Sequence, residues 1–231
     1  MTPQEVARIA GLGLPVLCTD TCSVLDIMRD PTRDTARAHE RVSAQALLAA
    51  MTTGPQLVGL VADQVRREFA ENVSKVEQDA IQALTKLRER AIRANEIDRV
   101  LGGTGVVDLP HLDDHVQRTH AVADHWMAAS ETVRPSPAIA DRAFARLMAP
   151  HTPGRRGQSM KDCVVIETYL EVITALRAAG LTSRIVFASS NTADYANEQR
   201  GILNADLQAE FTPISVHYAP NLSAAKHLLG V

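Results

Sequence analysis

At 231 residues with a net charge of −3, the chain is long enough to bury a core as one large domain or as a domain with a big insertion. It carries no global basic field, so any attraction for nucleic acid has to be local. Few aromatics among many Ala, Leu, Val and Arg point to a helix-rich protein.

The first residues, Met-Thr-Pro-Gln-Glu-Val-Ala-Arg, lack the charged and long apolar regions of a secretion signal, and residues 3–10 read as a short leading helix. No apolar run approaches the ~20 residues of a spanning helix, so a soluble, cytoplasmic protein with no membrane partner is expected. Residues 14–20 predict a first strand ending in Asp20, and residues 22–29 begin a helix that Asp30-Pro31 interrupts. A helix follows over 35–51, Gly54-Pro55 breaks it, and residues 56–61 suit a buried strand. Asp63 reads as the N-cap of the next helix, which carries Val65, Glu68 and Phe69.

From residue 74 to about 100 the chain is charged and helical, until Gly102-Gly103-Thr104-Gly105 stops it. That glycine cluster lacks the Lys-Ser or Lys-Thr of a phosphate loop and reads as a linker. Helices are expected over 112–130 and 137–148, then a loop, then a strong helix over 163–179 closed by Gly180. Strands are expected at 184–188 and 214–218, and a last helix at 223–229. Strands alternating with helices imply a parallel sheet covered on both faces, a three-layer α/β/α sandwich with a short central sheet. Residues 74–150 offer no convincing strand and read as a mainly helical insertion within a single domain spanning 1–231.

Four acids occupy matching places: Asp20 at the end of a strand, Asp194 just after another, Asp162 where a loop enters a helix, and Glu68 inside its helix. In a parallel sheet these ends share one edge, where ligands bind. Hard divalent cations take oxygen ligands, and a cation lowers the cost of keeping clustered carboxylates charged. Asp20, Glu68, Asp162 and Asp194 are therefore the candidate catalytic and metal-holding set, with Mg²⁺ or Mn²⁺ as the expected ion. The three cysteines, Cys18, Cys22 and Cys163, form an incomplete zinc set and read as small buried hydrophobes beside the site. His111, His115, His120 and His125 sit close in sequence but lack the neighbouring acid pattern of a zinc protease, so they read as a polar helix face.

The chain resembles the PIN-domain nucleases. Val16-Leu17-Cys18-Thr19-Asp20-Thr21-Cys22-Ser23 looks like that family's opening strand, and Val61 to Phe69, with Glu68, is similar to its second motif. Lys161-Asp162-Cys163-Val164-Val165-Ile166 looks like the third, an Asp opening an apolar helix. Phe187-Ala188-Ser189-Ser190-Asn191-Thr192-Ala193-Asp194-Tyr195 looks like the fourth, where a strand runs into Thr-x-Asp-x-x-Phe or a relative. The resemblance covers about residues 14–72 and 158–218. It implies Mg²⁺- or Mn²⁺-dependent hydrolysis of RNA, single-stranded by expectation, with Asp20, Glu68 and Asp162 as metal ligands. The family's toxin members imply an antitoxin as one partner, and a second copy of the chain is another.

One departure lies in the fourth motif. The usual first acid falls on Asn191, which coordinates through an amide oxygen without adding charge, and Asp194 takes the later acidic place. Asn191 therefore keeps open a degenerate scaffold that binds RNA or protein. Thr21 and Ser190 are placed to orient a carboxylate or a phosphate. Arg155, Arg156 and Lys161 form a basic loop into Asp162, suited equally to phosphate contact or to plain solvation. Glu167 lies about 140° round the helix from Asp162 and reads as a helix-face residue. The rival enzyme is a haloacid-dehalogenase-like phosphatase using Asp20 as nucleophile, but Cys22 stands where its proton-transfer acid or Thr is expected.

Overall fold

The computed structural model describes residues 1–156, 160–197 and 202–231, Arg156 by its backbone only. Helix α1 (Pro3–Leu12) starts with a capping box in which Thr2 and Glu5 satisfy each other's backbone N–H, and it ends on Gly13 at φ 63°. Five strands follow one direction: β1 (Val16–Thr19), β2 (Val58–Ala62), β3 (Glu131–Val133), β4 (Ile185–Ala188) and a last strand, Val216–Ala219. They form one all-parallel sheet in which β1 is central, flanked by β2 and β4; β3 lies beyond β2 and Val216–Ala219 beyond β4. β1, β2 and β4 are buried at every position, as strands covered on both faces must be, which is why they read as unbroken apolar runs. A Cβ at Gly59 in β2 would meet the Met51 sulfur and the Ser130 hydroxyl, so a larger residue there requires those side chains to shift.

Helices α2 (Thr21–Leu25), α3 (Ala38–Thr52), α4 (Asp63–Val100), α5 (His115–Ala129), α6 (Ile139–Met148) and α7 (Met160–Ala178) come in chain order between the strands. After β4 come the single turn α8 (Thr192–Tyr195), a small antiparallel pair β5 (Ala196–Asn197) and β6 (Ile202–Leu203), then α9 (Ala205–Phe211). The strand Val216–Ala219 is β7, and α10 (Leu222–Leu229) closes the chain. α7 packs with α1 and α6 and touches β2 and β3, whereas α10 packs with α3 and touches β1, β4 and β7. This arrangement is consistent with a three-layer α/β/α sandwich. None of the described helices is long and apolar enough to cross a membrane.

Three local expectations change. The helix expected to begin at residue 74 is continuous with the one before it: no Gly or Pro interrupts 63–100, and α4 runs 38 residues, about 57 Å at 1.5 Å per residue. Its N-cap is Ala62 rather than Asp63, which is the first helical residue and pairs with Arg67 at 2.7 Å. Residues 74–150 do contain a strand, β3, which completes one edge of the sheet. Three half-covered residues at an edge carry too little periodicity to announce a strand.

Two devices lock the layers. The Tyr169 hydroxyl on α7 donates to Thr19 O at 2.6 Å and accepts from Ala62 N at 3.0 Å, joining the ends of β1 and β2 where their ladder stops. Arg146 on α6, its side chain 4% exposed, pairs with Glu167 on α7 and Glu210 on α9, each at 2.7 Å. Glu167 is thus a buried structural partner rather than a free helix-face residue.

Candidate metal centre

The site forms where β1 ends. Asp20 caps α2, and its Oδ1 accepts from the Thr21 backbone N–H at 2.8 Å. Its Oδ2 accepts from Ser189 Oγ at 2.8 Å and Cys22 Sγ at 3.1 Å. The register that pairs Thr19 with Ala188 puts the next residues of both strands, Asp20 and Ser189, side by side. Asp20 is buried, and burial raises its carboxyl against the opposing pull of these three donors.

Glu68 reaches the same place from α4. Its Oε2 accepts from Thr21 Oγ1 at 2.8 Å and its Oε1 from Gln64 Nε2 at 3.0 Å. Asp162 comes from the first turn of α7. One carboxylate oxygen from each of Asp20, Glu68 and Asp162 lies within 4.8 Å of the others. Among the described residues this is the one such group of three or more His, Cys, Asp or Glu side chains. Burial, then the charges of Asp20, Glu68 and Asp194, push the Asp162 carboxyl up to about 8.

Asp194 adds to the repulsion on Asp162 but stands outside the group of three. Its Oδ2 accepts from Asn191 Nδ2 at 2.8 Å, so the Asn191 amide group is engaged with Asp194. The Asn191 backbone N–H donates to Ser189 Oγ at 3.2 Å. Thr21 Oγ1 is bonded to a carboxylate, that of Glu68. The Ser190 N–H donates to Ser23 Oγ at 3.2 Å, and Ser190 lines a small cavity with Ser23 and Arg41. Arg155 pairs with Asp206 at 3.0 Å and Lys161 with Glu71 at 2.7 Å, so both basic groups already have acidic partners. The side chain of Arg156 lies outside the described residues.

Sequence reasoning missed Ser189, Gln64, Tyr169 and Tyr195 as parts of this neighbourhood. Gln64 was within reach of it, because it stands four residues before Glu68 on one helix face. Ser189 needed the β1–β4 register. His120 pairs with Glu77 at 3.0 Å and Asp124 at 3.4 Å, a surface arrangement away from the group of three. Cys18 and Cys163 are buried free thiols, and Cys22 serves as a donor to Asp20.

No protein-family model matches this chain, and neither a curated protein nor a solved structure matches it. The donor set itself bears on a metal. It consists of carboxylate oxygens only, which suits a hard cation. Burial and then mutual repulsion raise the Asp162 carboxyl, and the repulsion is what a divalent charge would relieve. The residues present fit a hard divalent cation.

Proposed function

We propose that this protein is a Mg²⁺- or Mn²⁺-dependent hydrolase of phosphodiester bonds, acting on RNA. The observation that carries the reading is the convergence of Asp20, Glu68 and Asp162, from three separated segments, to within 4.8 Å. The motif-level resemblance to PIN-domain nucleases supports it, since the same three residues are the ligands that resemblance implies. Asp20, Glu68 and Asp162 would hold the cation, which when bound would activate water and neutralise charge on the scissile phosphate.

The protein's own groups prepare this. Thr21, Ser189 and Cys22 hold Asp20, and Thr21 and Gln64 hold Glu68, so both carboxylates are fixed before any ligand arrives. Asp162 is left as the group whose proton must go: burial and the neighbouring carboxylates hold that proton until a cation displaces it. Lys161 adjoins Asp162 in the first turn of α7 and, although paired with Glu71, is a candidate for a phosphate contact. A phosphatase using Asp20 as nucleophile is less well served, because Cys22, which donates to Asp20 Oδ2, stands where such an enzyme needs its proton-transfer acid or Thr.

The deciding experiment incubates the purified chain with labelled single-stranded RNA, with Mn²⁺ or with EDTA, beside Asp20→Asn. Cleavage is expected only with metal and wild-type Asp20, and the variant should lose at least about 100-fold while keeping its fold. Equal cleavage by the variant would sink the assignment. Metal and RNA binding without cleavage would point to a degenerate scaffold.

A further inference from the structure

Tyr195 is fully buried, yet among the described residues its hydroxyl has no hydrogen-bond partner. A phenol can donate one hydrogen bond and accept others, and buried hydroxyls are rarely left with none. The ring is well fixed. It packs edge-on against Phe187 at a centroid distance of 5.2 Å, and the Tyr195 backbone is bonded to Asn191 O and Asn204 N. The orphan atom is therefore not the loose end of a mobile side chain.

Burial raises the Tyr195 phenol well above its usual range, and the next contributions come from Asp20, Asp162, Cys22 and Glu68. Geometry places the residue beside the acidic group: the Tyr195 N–H donates to Asn191 O, the Asn191 N–H donates to Ser189 Oγ, and that hydroxyl holds Asp20. Asp20 and Glu68 already receive donors from protein groups, whereas among the described residues none reaches the Asp162 carboxylate. An unpartnered hydroxyl and an unpartnered carboxylate thus belong to one neighbourhood at the end of β1 and β4.

We propose that Tyr195 is a positioning residue of the acidic centre, its hydroxyl holding a water between itself and the carboxylate group once that group binds a divalent cation. This rests on the metal-centre part of the function proposed above. Tyr195 contributes no charge and no metal ligand. It supplies a fixed hydrogen-bonding wall, so that a water entering with the cation meets a preset partner.

The test titrates Mn²⁺ alone into the metal-free full-length chain and into Tyr195→Phe, with circular dichroism confirming the fold. The variant is expected to bind Mn²⁺ about 5- to 10-fold more weakly, the worth of one hydrogen bond, while its metal-free melting temperature does not fall. Mn²⁺ should also perturb the tyrosine near-ultraviolet band of the wild type, and this perturbation should vanish in the variant. Unchanged Mn²⁺ affinity in the variant overturns the proposal, as does a wild-type tyrosine band that saturating Mn²⁺ leaves untouched. The latter needs no variant to fold. Weaker Mn²⁺ binding without RNA cleavage by the wild type would uphold the role of Tyr195 and reject the nuclease reading. Cleavage with unchanged affinity would do the reverse, and a wild type that binds no Mn²⁺ removes both.

Discussion

Thr21 Oγ1 donates to Glu68 Oε2 at 2.8 Å, linking the first turn after β1 to the second turn of α4. The same residue gives its backbone N–H to Asp20 Oδ1. One threonine thus fixes the spacing of two carboxylates that repel each other, and a hydroxyl at that point is worth more than its small size suggests.

Thr21→Val keeps the shape and removes the donor. Glu68 Oε2 is then free to swing away, and Mn²⁺ affinity should fall about 10-fold with little change in the metal-free melting curve. Thr21→Ser should restore most of the affinity. Calorimetric titration of the three proteins checks this, and equal affinities would mean that Glu68 is held by other contacts.

Asp162 predicts a pH dependence of definite sign. Its carboxyl is ordinarily near 3.8 and is pushed up to about 8, first by burial and then by neighbouring carboxylates. Between those values the unfolded chain has lost the proton and the folded chain keeps it, so metal-free stability falls as pH rises through this window and levels off above about 8. Asp162→Asn should flatten that slope. A cation takes the ionised form, so Mn²⁺ binding near pH 7 should release close to one proton and tighten as pH approaches about 8. Titrations in buffers of different ionisation enthalpy measure the release, and none at pH 7 would show that Asp162 is already ionised.

Tyr169→Phe probes the joint between β1 and β2. The lost hydroxyl leaves Thr19 O and Ala62 N, both buried between layers, short of a partner. The cost should be about 1–3 kcal/mol, read as a lower urea midpoint with an unchanged slope. A midpoint equal to the wild type would show that the strand ends find other partners.

Much of the layer plan was legible because buried parallel strands write themselves as apolar runs. Residues 16–19, 58–62 and 185–188 are almost wholly apolar, with no alternating polar face to disguise them. β3 was not legible: it is three residues at an edge, with only Val133 buried. Nor were α8, α9 and the β5–β6 pair, which are too short for a helical or strand period to emerge.

By itself, then, the sequence determined the alternation of strand and helix and the placing of acids at strand ends and helix starts, because these are local patterns of polarity. Only the tertiary structure decided which acids meet. Asp20, Glu68 and Asp162 converge because β1 lies between β2 and β4 and because α4 and α7 both return to that edge of the sheet. Asp194 is drawn instead to Asn191, and Ser189 reaches Asp20 only through the β1–β4 register. Hydrogen bonds between residues more than a hundred positions apart depend on strand order, and no local pattern of polarity encodes that order.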